Sequence, residues 1–80
     1  MGQIEEELQV ELGRNIKKAR RAARVRQQQL AAEIRVHRNT LMRWEHGEVA
    51  VPLWKLVHIA DLLGVKPSAL VPSRRVGGCQ

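Results

Sequence analysis

The sequence predicts an all-α fold, one compact domain of four to five short helices, and three observations predict it. Apolar residues recur at three- and four-residue spacings along most of the chain, the period of helices with one buried face. Glycine and proline stand where such helices would stop and start, at Gly47 with Pro52, Gly64 with Pro67, and Pro72. Eighty residues also suffice for one small core that folds without staples.

The first helix is expected from about Leu12 to Arg24. Leu12, Ile16, Ala19 and Ala23 form its apolar stripe, while Arg14, Lys17, Lys18, Arg21 and Arg24 face away and Arg20 lies beside the stripe. Residues 1–11 form an acidic N-terminal extension, in which Ile4 and Leu8 continue the stripe and acids sit where a helix start favours them. The extension is expected to be helical from about Gln3. Gly13 is its weak point, since glycine costs about 1 kcal/mol against alanine in a helix interior.

A second helix begins near Gln27 and offers Leu30, Ala31 and Ile34 to a core. Arg26 occupies its cap position but cannot accept a hydrogen bond as Ser or Thr would. Arg35 holds the turn position where glycine fits a left-handed conformation most easily, and Val36 fills the bend. The third helix, about 37–46, turns Leu41 and Trp44 inward, and Gly47 suits the residue after its end. Pro52 is placed at the first position of a fourth helix whose inward face reads Leu53, Leu56, Val57, Ala60 and Leu63, with Gly64 ending it. Trp54, His58 and Leu62 make a second stripe, either a surface for a partner or partial packing against a short last helix from Pro67 through Leu70 and Val71. Residues 12–71 thus form the domain, and 72–80 a flexible basic tail.

Composition narrows function by exclusion. One cysteine, Cys79, allows no internal disulfide and reads as an exposed, incidental thiol. No apolar run approaches a membrane span, and the basic first helix has too narrow and Ala-rich an apolar face to insert strongly, so a cytoplasmic protein is expected. His37, His46 and His58 lack metal-ligand spacing, no nucleophile–base pair suggests itself, and no glycine loop cradles a phosphate. Neither an enzyme, a metal, a cofactor nor a small-molecule ligand is therefore expected. Only Trp44 and Trp54 are aromatic, which argues against stacking platforms for single strands.

Charge points the other way, toward a polyanion. The net charge is +6, and between Arg14 and Arg43 ten Lys/Arg face one acid, Glu33, with Glu5, Glu6, Glu7 and Glu11 ahead of the block. A solvated helix face would look similar, so the motif decides. Two helices about a tight turn leave Gln27, Gln28, His37, Arg38, Asn39, Met42 and Arg43 outside the core. Arg38 or Arg43 can hold guanine O6 and N7 in a bidentate pair, and Asn39 can do the same for adenine N6 and N7. Asn39 could instead cap its helix, Arg38 could take a phosphate, and His37 could bond backbone, phosphate or base. Met42 could touch a thymine methyl or only fill surface space.

The ordered set of Gln27, Leu30-Ala31, Val36, Thr40-Leu41, Arg43, Glu45, Gly47, Ile59-Ala60 and Leu63-Gly64-Val65 resembles the phage-repressor helix-turn-helix family, of Cro-like or XRE type, over about Leu12 to Leu70. The resemblance implies a lambda-repressor-like domain and a sequence-specific, double-stranded DNA-binding transcriptional regulator of repressor type. Helix three would read the major groove through His37, Arg38, Asn39 and Arg43, with Met42 at the edge. Gln27 would contact phosphate, joined by Arg26, Gln28, Arg14 and Lys17, and Arg20 with Glu45 would form a structural ion pair. A homodimer on a pseudo-palindromic operator is expected, associated with the nucleoid when bound, its interface sought at Trp54, His58 and Leu62. Arg26, Arg35 and His37 depart from the family's usual hydroxyl cap, turn glycine and small polar residue. The competing reading is a helix-turn-helix module that binds protein, as an antitoxin half, coactivator or assembly factor, through Trp54–His58–Leu62 and Ile4–Leu8. Cations concentrated on the groove-facing helix favour DNA.

Overall fold

The longest helix passes without a break through a glycine. The computed structural model describes the backbone of residues 2–72 and the side chains from residue 6 onward. Its elements are α1 (Gly2–Ala22), α2 (Gln27–Glu33), α3 (Arg38–Glu45), α4 (Leu53–Leu63) and α5 (Pro67–Leu70). The acidic extension and the basic segment are one helix. The side chain of Ile4 and the tail from residue 73, Cys79 included, lie outside the described residues.

Gly13 is retained for packing. A Cβ at that position would lie 2.3 Å from the Trp44 carbonyl oxygen and 2.6 Å from that of Glu45. The last turn of α3 therefore rests directly on the backbone of α1. Gly47, just beyond α3, repeats the approach from the other side, since a Cβ there would stand 2.6 Å from the Cα of Val10.

Ile16, Leu30, Ile34, Leu41, Ile59 and Leu70 are fully excluded from solvent, with Ala31, Trp44, Leu56, Ala60 and Leu63 around them. All five helices thus contribute to one core. Asn15 donates to the Leu70 carbonyl at 2.9 Å and so ties the end of α5 to α1. Lys55 donates to the Ile34 carbonyl at 2.5 Å, holding the end of α2 against α4.

Four helices close by the same pair of backbone bonds, one spanning five residues and one spanning three. They are Val25 N–H to Arg20 O with Arg24 N–H to Arg21 O, and Val36 N–H to Ala31 O with Arg35 N–H to Ala32 O. Glu48 with Arg43 and Gly47 with Trp44 close α3, and Val65 with Ala60 and Gly64 with Asp61 close α4. The closing residue is left-handed each time, with φ of 60° at Arg24, 58° at Arg35, 77° at Gly47 and 73° at Gly64. Val25, Val36 and Val65 follow three of these residues and pack against the core.

Several expectations need correction. α1 ends at Ala22, not Arg24, and Ala23 is exposed in the turn, because the left-handed Arg24 swings the chain out of the helical path. Pro52 is the cap residue ahead of α4, with ψ of 143°, and the helix starts at Leu53. His37 and His46 flank α3 as caps, and the last helix stops at Leu70. Leu53 and Val57 do not face inward: they are 74% and 45% exposed, and Ile59 is the buried residue that the expected inward face omitted. The apolar arc of α4 is wider than its neighbours cover.

Gly13→Ala should gain helix propensity yet lose about 1–3 kcal/mol of stability, because the added methyl meets immobile carbonyl oxygens. Urea unfolding checks this, and a stabilised variant would mean that α3 does not rest on α1.

Candidate nucleic-acid interface

α3 has a buried side and an exposed side. Leu41, Trp44 and Glu45 are buried; Arg38, Asn39, Arg43 and His46 are exposed, with Met42 half-buried among them. At about 100° per residue these last five share a sector of roughly 140°. The helix is about 12 Å long, comparable with the width of a B-DNA major groove, about 12 Å.

Its buried side is held by charge. Arg20 Nε donates to Glu45 Oε2 at 2.7 Å and Nη2 to Oε1 at 3.2 Å, while Nη1 takes the Val25 carbonyl at 2.9 Å. The two residues are only 8% and 6% exposed, so this is a two-point ion pair inside the fold. Among the described residues no buried side-chain polar atom lacks a partner. Gln27 extends the pair outward: its Nε2 donates to Glu45 Oε1 at 3.0 Å, and its Oε1 accepts from Arg38 Nε at 3.3 Å. The amide can point only this way, because a carboxylate accepts and a guanidinium donates. One line of contacts therefore runs from α1 through the end of α3 and the start of α2 to the first residue of α3.

That line gives Gln27 a bracing part beside the phosphate contact expected of it. Its side chain is engaged by Glu45 and Arg38 and braces Arg38, leaving the guanidinium's outer N–H groups unoccupied. His37 is the cap of α3, its Nδ1 accepting from the Asn39 backbone N–H at 3.1 Å. Nδ1 is thus engaged as an acceptor by the backbone, and the residue is otherwise exposed. Asn39 does not cap with its side chain. The side chains of Asn39 and Arg43 make no hydrogen bond or ion pair within the described residues.

The expected phosphate residues lie on two elements, the start of α2 and the length of α1. Arg26 caps α2 with no side-chain bond of its own, and Gln28 is exposed beside it, both next to the Gln27–Arg38 contact. Lys17 lies about 40° around α1 from Gly13, toward α3. Arg14 lines one groove with Asn15, Ser68, Ala69 and Val71 on the α5 side of α1 and another with Lys17, Lys18 and Arg21 along the helix. Trp54 and His58 are exposed on α4 as neighbours, and Leu62 lies at the edge of that face.

Two residues escaped the sequence reading. His46 shares the exposed sector of α3, four residues beyond Met42, with its Nδ1 3.7 Å from Glu48 Oε2, an ion pair only when the imidazole is protonated. Helical spacing alone would have found it. The left-handed Arg24 was signalled by the Arg-Val pair at 24–25, which recurs at 35–36. Among the described residues no three His, Cys, Asp or Glu side chains gather as metal ligands, and no helix is long and apolar enough to cross a membrane.

A tight turn joining two short helices, the second exposed along one polar face, defines a helix-turn-helix domain. The family described as the helix-turn-helix domain matches residues 11–72, and the chain belongs to that family, as a member of Cro-like type. Among solved structures it is similar to the restriction-modification controller protein C.AhdI from Aeromonas hydrophila, with 26% identity and a TM-score of 0.72 over 76% of this chain and 92% of that one. It is also similar to the hydroxypropylphosphonic acid epoxidase of S. wedmorenis, with 27% identity and a TM-score of 0.75 over 81% of this chain. The chain spans only 35% of that epoxidase's length and 36% of the similar apo-HppE chain. No curated protein matches the sequence.

Glu45→Ala should destabilise the fold by about 3–5 kcal/mol, since it strands the Arg20 charge in the interior. Gln27→Ala should cost only about 1 kcal/mol. Urea titration of both variants is the check, and a Glu45→Ala loss below about 1 kcal/mol would show that water, not Glu45, satisfies Arg20.

Proposed function

We propose that this chain reads double-stranded DNA in a sequence-specific manner, as a small transcriptional regulator of repressor type with α3 in the major groove. One observation carries the reading. Asn39 and Arg43 present side chains with no partner among the described residues, on the exposed side of a helix whose other side is locked by the Arg20–Glu45 pair. Unpaired bidentate groups on a rigid element are what base recognition requires. Arg38, braced by Gln27, supplies a third such group at the helix start. Similarity to a restriction-modification controller protein supports a regulatory role. The nucleoid of a cytoplasm is the matching location, and a binding role rather than catalysis is the matching activity.

The second half of the proposal is a homodimer on a pseudo-palindromic site. An eight-residue α3 reads only a few base pairs, too few to single out one operator in a genome. α4 exposes Val57 and Trp54, the latter at 68%, around a shallow groove that His58, Asp61, Val65 and Pro67 complete, with Leu53 exposed on the same helix. A tryptophan beside aliphatic residues is an efficient anchor for a second copy. This face also favours the protein-binding alternative, so the two are separated by experiment.

Selection from a random duplex library should return sites with two-fold symmetry and half-sites about 34 Å apart, one helical turn. Arg43→Ala should cost about 1–3 kcal/mol per half-site at symmetric guanine positions and leave self-association intact. Trp54→Ala should weaken self-association and preserve the half-site preference. No enrichment of any duplex would reject DNA as the partner; enriched sites without symmetry, from a chain of monomeric mass, would reject the dimer alone.

A further inference from the structure

Of the four left-handed helix ends, Gly47 and Gly64 occupy two and Arg24 and Arg35 the others. The same backbone closure, in the same chain, is made by glycine at Gly47, where α1 leaves no room for a side chain, and at Gly64, where nothing lies within 4 Å and the turn alone accounts for the residue. An L-residue there suffers a contact between its Cβ and its own backbone that glycine lacks. Folding alone would favour glycine at both arginine positions. Yet both side chains are exposed, and neither makes a hydrogen bond or ion pair within the described residues. No contact among the described residues accounts for the guanidinium groups.

Their placement does. The two turns are built alike: a left-handed Arg, a half-buried Val, an extended cap residue, then the first residue of the next helix. The caps are Arg26 (φ −77°, ψ 151°) and His37 (φ −69°, ψ 144°). The first helical residues are Gln27 and Arg38, and these touch each other at 3.3 Å. Arg24 and Arg35 therefore each stand three residues ahead of one shared contact, a span of at most about 11 Å of chain. Both flank the point where α2 and α3 begin, which the DNA reading above brings against the duplex.

We propose that Arg24 and Arg35 are phosphate-binding residues that grip the sugar–phosphate backbone beside the groove entered by α3, and that they are kept in left-handed turns at a cost to stability. The inference rests on the DNA reading and adds two contacts to it. A guanidinium presents forked N–H donors that match a phosphodiester's two free oxygens, a role glycine cannot take.

The test uses the full chain and a duplex of arbitrary sequence, about 20 base pairs, so that the phosphate contribution is read without base contacts. Arg24→Gly and Arg35→Gly should each raise the melting temperature by about 2–4 °C, because strain is relieved. Each should also reduce the slope of log affinity against log salt by about 0.9 per bound chain, and weaken binding about fivefold at 0.15 M salt. Arg24→Lys and Arg35→Lys should keep the slope without the thermal gain. A glycine variant that melts higher and binds with unchanged slope would overturn the proposal, as would one that melts lower, since the arginine would then be explained by the fold. If the unaltered chain shows no salt-dependent duplex binding at all, the DNA reading fails, and this inference with it.

Discussion

Everything that positions α3 depends on its attachment to α1. The attachment has two parts within a few residues of each other: backbone carbonyls of Trp44 and Glu45 laid on Gly13, and the Glu45 carboxylate gripped by Arg20. Each needs the other. A two-point guanidinium–carboxylate pair tolerates little displacement, and the close approach at Gly13 sets the distance between the helices that the pair must span. A buried pair adds little stability over a well-packed apolar contact, but it specifies one arrangement because any other strands a charge.

That constraint matters because the two helices of the motif are short. α2 has seven residues and α3 eight, well below the length of about 12–15 at which an isolated helix becomes marginal in water. Their geometry is therefore supplied by contacts around them. Leu30, Ala31, Ile34, Leu41 and Trp44 fill the core, Lys55 holds the last carbonyl of α2, and Gln27 links the start of α2 to both ends of α3. The exposed side of α3 inherits this rigidity. A base-reading surface benefits directly, since side chains on a fixed backbone lose less freedom when they bind.

Charge is distributed with the same logic. The interior keeps the Arg20–Glu45 pair, fully hydrogen-bonded, while the other cations of α1, apart from the half-buried Lys17, and those of the two turns are left toward solvent. The α4 face is different: apolar, open, and backed by Lys55, whose ammonium also sits 4.8 Å from the Trp54 ring. Two separate surfaces thus differ in chemistry, one cationic and polar, the other largely apolar.

How much of this could be read from residues alone depended on how local the cause was. The helical period, the stops at Gly47 and Gly64, the uncapped start at Arg26 and the left-handed turn at Arg35 all follow from rules acting within a few residues, and the sequence by itself determined them. The ordered motif also sufficed for the family. What only the tertiary structure decided was set by neighbours distant in the chain. Gly13 read as a weak point in a helix, because the carbonyls that exclude a side chain there arrive from more than thirty residues away. Leu53 and Val57 read as core, because periodicity marks an apolar arc but not how much of it the neighbours cover. The bracing role of Gln27 was not legible, because it exists only once folding brings Glu45 to one side of its amide and Arg38 to the other. Local stereochemistry is written residue by residue; a contact between distant residues exists only once the chain has closed around it.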